Sequence, residues 1–233
     1  MRINGQNFIK PDVVVSWPKH LDYPLFRQMI RDNRDYFEKV IVVLTDMNVG
    51  KDYTGFLRSA LKPDRVIVLD SPKPTGEEDW RNVAMTEALS NTKNPWIWFT
   101  EQDFSFKPGF WELVQEQMLV VPYIRVLVGE RVHPCCIFVK RKLLNETSLD
   151  FSVIKDVSDH FSKIQLELIG KPFFDIPQEL WTHLGGLSQN MYKIQTGEEA
   201  MYFPEEFKNY LKECLSVKVP MHDDFIRLFK EKM

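Results

Sequence analysis

The chain is poor in cysteine: it has three, of which Cys135 and Cys136 are adjacent. That excludes a disulfide framework, and the spacing fits no zinc ribbon, so reduced, buried thiols are expected. Long apolar runs are also missing. No stretch reaches the roughly 18 apolar residues that a bilayer-spanning helix needs, and Met1 to Lys10 is polar, without the apolar centre of a secretory leader. The expected compartment is therefore the cytoplasm, where the sequon Asn145-Glu146-Thr147 has no consequence. Neither sign of charge dominates. Thirty Lys+Arg face 33 Asp+Glu, and the net charge of −3 gives no general attraction to nucleic acid or anionic lipid. Internal repeats, low-complexity tracts and linkers are absent too.

What remains is globular: 233 residues, 44% hydrophobic and 27% charged, enough for one sizeable α/β domain. The most distinctive stretch is Trp96-Ile97-Trp98-Phe99-Thr100-Glu101-Gln102-Asp103. A bulky, β-favouring run of this kind suits a strand covered on both faces. It ends in two carboxylates one residue apart, which in an extended chain point the same way and repel unless a cation or donor-rich ligand lies between them. A solvated acidic turn is the plain alternative.

Three earlier β-branched runs, Asp12 to Trp17, Val40 to Leu44 and Arg65 to Leu69, alternate with helical patterns. The first helix carries Leu25, Phe26, Met29, Ile30 and Phe37; the second spans Tyr53 to Leu61; the third presents Trp80, Val83, Ala84, Ala88 and Leu89. This alternation predicts parallel strands joined by right-handed helical crossovers. Ligands of such sheets bind beyond the carboxyl ends of the strands, where Ser16, Asp46, Asp70, Glu101 and Asp103 all fall.

The rhythm then changes. A helix is predicted at Phe110 to Met118, followed by strands at Tyr123 to Val128 and Cys136 to Val139 with His133-Pro134 between them, a mixed or antiparallel edge. Lys140-Arg141-Lys142 reads as a strand-to-helix junction. Ser158 suits the cap of a helix carrying Phe161, Ile164 and Leu168, with Asp156 and Asp159 at its start. Trp181 to Ser188 reads as a loop. From Pro204 a tail helix lines up Phe207, Tyr210, Leu211, Cys214 and Leu215, and a last segment runs from Phe225 to Phe229. The expected division is a domain over 1–203 and a helical tail over 204–233, packed on the domain or forming a homodimer. Its apolar faces beside lysines leave peripheral membrane contact open.

Four stretches, Val13-Val14-Val15-Ser16, Val42-Val43-Leu44-Thr45-Asp46, Trp80-Arg81-Asn82-Val83-Ala84 and Trp98 to Asp103, resemble the nucleotide-sugar half of GT-A fold glycosyltransferases, most closely family 2. The resemblance covers roughly residues 11 to 106, leaving about 107–203 as the acceptor half. It implies a Rossmann-like GT-A fold: a mixed, mainly parallel sheet flanked by helices, with the helical tail added. The implied activity is hexosyltransferase-type, moving a sugar from a nucleoside-diphosphate sugar to an unknown acceptor, with inversion. It implies Ser16 and Asp46 beside base and ribose, Arg81 near the pyrophosphate and Asn82 fixing its loop. For Arg81, a helix-surface pairing with Glu77 or Glu78 is the alternative.

The resemblance further implies a divalent ion, Mn²⁺ or Mg²⁺, on Asp103 and a later histidine. His183 is the first choice and His222 the reserve, while His133 is assigned to the acceptor side or the core. Glu101 stands where the family has its first aspartate; it reaches the ribose or a metal-bound water, or else marks weakened metal use. Asp159 is the implied base for the acceptor hydroxyl and Asp156 the second choice, against simple stabilisation of a helix start. Trp181 is either a sugar platform or core. Two other readings stand beside the transferase. A sugar-phosphate nucleotidyltransferase usually has a glycine-rich basic loop after the first strand, where this chain has Trp17-Pro18-Lys19-His20. A nucleotide-sugar binding module without turnover is the other.

Overall fold

The computed structural model describes residues 2–3, 6–46, 52–61, 66–73, 80–129, 131–146, 170–184, 205–223 and 226–227. A short antiparallel pair, β1 (Arg2–Ile3) and β2 (Gln6–Asn7), precedes the main chain of elements. These are β3 (Asp12–Pro18), α1 (Pro24–Asp32), β4 (Val40–Thr45), α2 (Thr54–Ala60), β5 (Val66–Asp70), α3 (Trp80–Ser90) and β6 (Trp96–Thr100). There follow β7 (Phe104–Phe106), α4 (Phe110–Val120), β8 (Tyr123–Val128), β9 (Arg131–Lys140) and α5 (Arg141–Glu146). Last come β10 (Phe174–Asp175), β11 (Trp181–His183) and α6 (Glu205–Cys214).

Among the described residues, seven strands form the central sheet in the order β10-β8-β9-β6-β3-β4-β5. Strands β3, β4, β5 and β6 are mutually parallel, with Val13 opposite Val40 and Trp98, and Ile41 opposite Ile67. β9 is antiparallel to β6 and β8. The unbroken apolar runs of β3, β4 and β6 are buried on both faces, as their composition requires. Val13, Val15, Trp17 and Trp98 face a layer built by α1, α2, α4 and α6, while Val14, Ile41, Ile97 and Phe99 face α3 and α5. From β3 the chain steps outward to β4 and β5, and α3 then carries it back to β6 on the other side of β3. The order reverses between β3 and β6, which is where open α/β sheets leave a crevice at their carboxyl ends.

Under that crevice lies an aromatic cluster. Trp98 stacks on Phe138 at 5.2 Å and meets Trp111 edge-on at 5.3 Å. Gly109 starts α4 with φ 88°, a left-handed backbone conformation that favours glycine.

The tail docks on the first α/β units. Tyr210, Leu211 and Cys214 are buried with α1. Beyond α6, the Pro220 carbonyl accepts from the Arg27 guanidinium, which also grips the buried Asp22 through Nε (2.8 Å) and Nη2 (3.0 Å). His222 stacks on Tyr53 at 4.0 Å. Leu215, read from the sequence as part of the buried face, is 43% exposed because α6 ends at Cys214. The expected helix at Ser158 lies outside the described residues, as do most of Phe225 to Phe229 and the acidic run Glu77 to Asp79.

Candidate functional site

β6 delivers the acidic pair to the crevice. The strand ends at Thr100, and Gln102 and Asp103 turn the chain into β7. β7 then pairs antiparallel with β11, putting Trp181 opposite Phe106 and His183 opposite Phe104. The Leu184 N–H donates to the Asp103 carbonyl at 2.9 Å, and the Lys107 N–H donates to the Leu180 carbonyl at 2.8 Å. The stretch from Trp181, expected to be a loop, is thus a strand as far as His183. Backbone pairing sets the position of His183; Gly185 and Gly186, which follow it, lie outside the described residues.

His183 Nε2 stands 3.2 Å from Asp103 Oδ1 and 3.6 Å from Glu101 Oε2. A second histidine joins them: His133 Nδ1 is 4.0 Å from Glu101 Oε2, and its ring lies 4.3 Å from that of His183. The sequence alone assigns His133 to the acceptor side or the core, between two strands. Instead β9 begins at Arg131 and includes it. Because β9 runs antiparallel to β6 with Cys136 opposite Thr100, the residues before Cys136 extend past the end of β6, over Glu101. Arg125 faces Ile137 while Leu127 faces Val132, so β9 carries extra residues there, a bulge that accommodates Pro134 and re-aims His133.

Donor atoms of Glu101, His133 and His183 all lie within 4.8 Å of one another. Asp103 and His183 side chains are each only 11% exposed. Asp103 Oδ1 is buried without a hydrogen bond, since its approach to Nε2 is close but not aligned as one. A buried carboxylate oxygen left this way fits a cation ligand, and the mixed imidazole and carboxylate donor set fits a divalent ion. Burial alone would lower the His183 pKa, but the contacts with Asp103 and Glu101 outweigh it and raise it to about 9. Burial raises the Asp103 pKa, with the Glu101 charge adding and His183 opposing. Both shifts say the same thing: without a cation the cluster holds a proton.

The other sequence candidates lie around the crevice. Ser16 is half-buried in β3, beside Val43 of β4. Asp46, half-buried after β4, acts on the buried His20, whose pKa is lowered by burial against the pull of that carboxylate. Asp70 is tied up with Arg58 at 2.6 Å and Lys19 at 3.8 Å. Arg81 and Asn82 fall in the first turn of α3, but their side chains lie outside the described residues, as do Asp156 and Asp159 entirely. His222, the reserve ligand, is stacked on Tyr53. Trp181 is 2% exposed and donates from Nε1 to the Ile176 carbonyl at 3.3 Å, which makes it core.

An open cleft of about 590 Å³ adjoins His183, bordered by Lys107, Gln178, Glu179 and Thr182. No motif announces it, because its walls come from a turn and short strands.

No protein-family model matches the sequence. No curated protein matches it either. Among solved structures the chain is similar to TarS from S. aureus, with TM-score 0.52 and 14% identity over 94% of this chain and 49% of that one. It thus spans about half the length of TarS. It is also similar to a proposed glucose-1-phosphate thymidylyltransferase from Bacillus anthracis, solved with sucrose, with TM-score 0.51 and 10% identity over 93% of this chain and 99% of that one. At such identities the likeness shows the fold alone. That fold is the Rossmann-like α/β type shared by GT-A and nucleotidyltransferase proteins, with a mainly parallel sheet flanked by helices.

Proposed function

We propose that the protein is a glycosyltransferase that takes a sugar from a nucleoside-diphosphate donor and delivers it, with inversion, to a hydroxyl acceptor. One observation carries this reading: Glu101, Asp103 and His183 converge at the carboxyl end of β6, beside the β3–β6 reversal. TarS, a glycosyltransferase, shares the fold. In this reading Asp103 and His183 hold a divalent ion, and Glu101 faces the same point. When bound, such an ion offsets the negative charge on the departing nucleoside diphosphate. Ser16 and Asp46 face ribose and base, and Arg81 takes phosphate oxygens, for which a guanidinium fork is suited. Asn82 fixes the loop of Arg81. Asp159, with Asp156 second, takes the acceptor proton. The cleft beside His183 receives the acceptor.

The likeness to the thymidylyltransferase supports a second reading, sugar-phosphate nucleotidyl transfer. Against it, the turn after β3 is closed on itself. Lys19 N–H donates to Thr45, Leu21 N–H donates to Pro18, and His20 and Asp22 are buried, so no phosphate-cradling loop is present there.

The test is a panel of UDP-, GDP-, CMP- and dTDP-sugars with Mn²⁺, read by thermal shift and by slow donor hydrolysis. One nucleotide should raise the melting temperature and its sugar should be hydrolysed slowly, with both effects lost in Asp103→Ala. Asp159→Asn should abolish transfer and leave donor binding intact. Stabilisation without hydrolysis would identify a binding module, and no nucleotide effect at all would sink the proposal.

A further inference from the structure

The cluster contains more nitrogen than a pair of strand-end carboxylates requires. His133 comes from β9, on the far side of β6 from β3, and reaches the cluster because β9 runs on past the end of β6, with a bulge against β8 in the same stretch. Its Nδ1 points to Glu101 Oε2 at 4.0 Å, and its ring is tilted 49° to that of His183 at 4.3 Å. Two imidazoles and Glu101 therefore surround one point, and Asp103 borders it, with its Oδ1 3.2 Å from His183 Nε2 and buried without a hydrogen bond.

We propose that His133 is a direct metal ligand, and that Glu101, His133 and His183, with Asp103 beside them, form a nitrogen-rich site that selects a first-row transition ion over Mg²⁺. This rests on the reading of the same cluster as the cation site of a nucleotide-sugar transferase. The reason is donor chemistry. Mg²⁺ demands near-ideal octahedral oxygen ligation, gives up water reluctantly, and is usually held by one or two carboxylates. Imidazole suits zinc, copper, iron and nickel, and affinity of a given site rises from Mn²⁺ through Co²⁺ toward the later ions. Two histidines and a carboxylate are also a set that holds Zn²⁺ while leaving a position free. The cleft bordering His183 gives a phosphate or hydroxyl oxygen access to that position.

The experiment uses the full chain stripped of metal and no nucleotide. Co²⁺, Zn²⁺, Mn²⁺ and Mg²⁺ are titrated separately by calorimetry, with Co²⁺ also followed by its visible bands. Co²⁺ should bind at least about 100-fold more tightly than Mg²⁺, following ligand preference. His133→Gln should weaken Co²⁺ by about tenfold or more, with its melting temperature in chelator unchanged. Pulsed EPR of Mn²⁺ on the unmodified protein counts coordinated imidazole nitrogens, and so decides the matter even if the variant does not fold. Coupling to two imidazoles supports the proposal. Coupling to one, equal binding of Mg²⁺ and Co²⁺, or an unaltered titration in a folded His133→Gln variant would overturn it. Nucleotide-sugar stabilisation in Mg²⁺ alongside those negative results would leave the transferase reading standing. Two imidazoles without any nucleotide effect would support the ligand set while removing the transferase.

Discussion

Raising the pH of the metal-free protein should destabilise it through His183. The folded imidazole keeps its proton to about pH 9, against an ordinary value of 6.5. Linkage fixes the sign: the folded state binds a proton that the unfolded chain has released, so the stabilisation is full below about 6.5 and is lost as pH rises through about 9. Each tenfold change in proton affinity is worth about 1.4 kcal/mol, which sets a ceiling near 3 kcal/mol. Part of the ring is reached by water, so about 2 kcal/mol is the realistic figure. For a chain of this size that lowers Tm by about 4 to 8 °C. Asp103 titrates in the same sense, since burial raises its pKa too, and so does not cancel the trend. Calorimetric melting in chelator at pH 6, 7, 8 and 9 reads the effect, with His183→Gln as control. A flat profile, or the same slope in the control, would refute the account of the cluster as a proton-holding site.

Other perturbations test the frame. Asp22→Ala strands the buried Arg27 guanidinium and should cost about 3–5 kcal/mol in urea unfolding, with faster hydrogen exchange in α6, whose following segment that guanidinium holds through Pro220. Trp98→Ala empties the centre of the aromatic cluster and should cost about 3–5 kcal/mol by the same measurement. Burial pushes the Cys214 thiol up to about 12 and Cys136 higher still. At pH 8 a thiol reagent should therefore label at most one of the three cysteines of the chain until it unfolds.

The strand–helix alternation from Asp12 to Thr100 was legible because each element declares itself locally, by β-branched runs or by apolar residues at helical spacing. Each of β3, β4, β5 and β6 lies within a residue of its expected position. The acidic pair was legible for the same reason. What remained hidden depends on partners far away in sequence. β7 and β11 have three residues each, too few for a periodic signal, and they exist as strands only because they pair with each other. His133 was obscured by Pro134, since proline argues against a strand interior and a bulge is the exception. Leu215 continued the apolar spacing of α6 past the point where the helix stops.

The pairing of β7 with β11 has a consequence in polymer statistics. Asp103 and His183 are about 80 residues apart, and collecting both from an open chain would incur a loop-closure entropy on the order of 4 kcal/mol. The central sheet meets most of that requirement by holding β8, β9 and β10, and three residue pairs between β7 and β11 fix the short stretch from Asp175 to His183 before any ion arrives. Unzipping them, with every donor atom left unchanged, would weaken chelation, because the ion would then have to order that stretch itself. The grip on a cation is set by this small piece of sheet as much as by the ligands themselves.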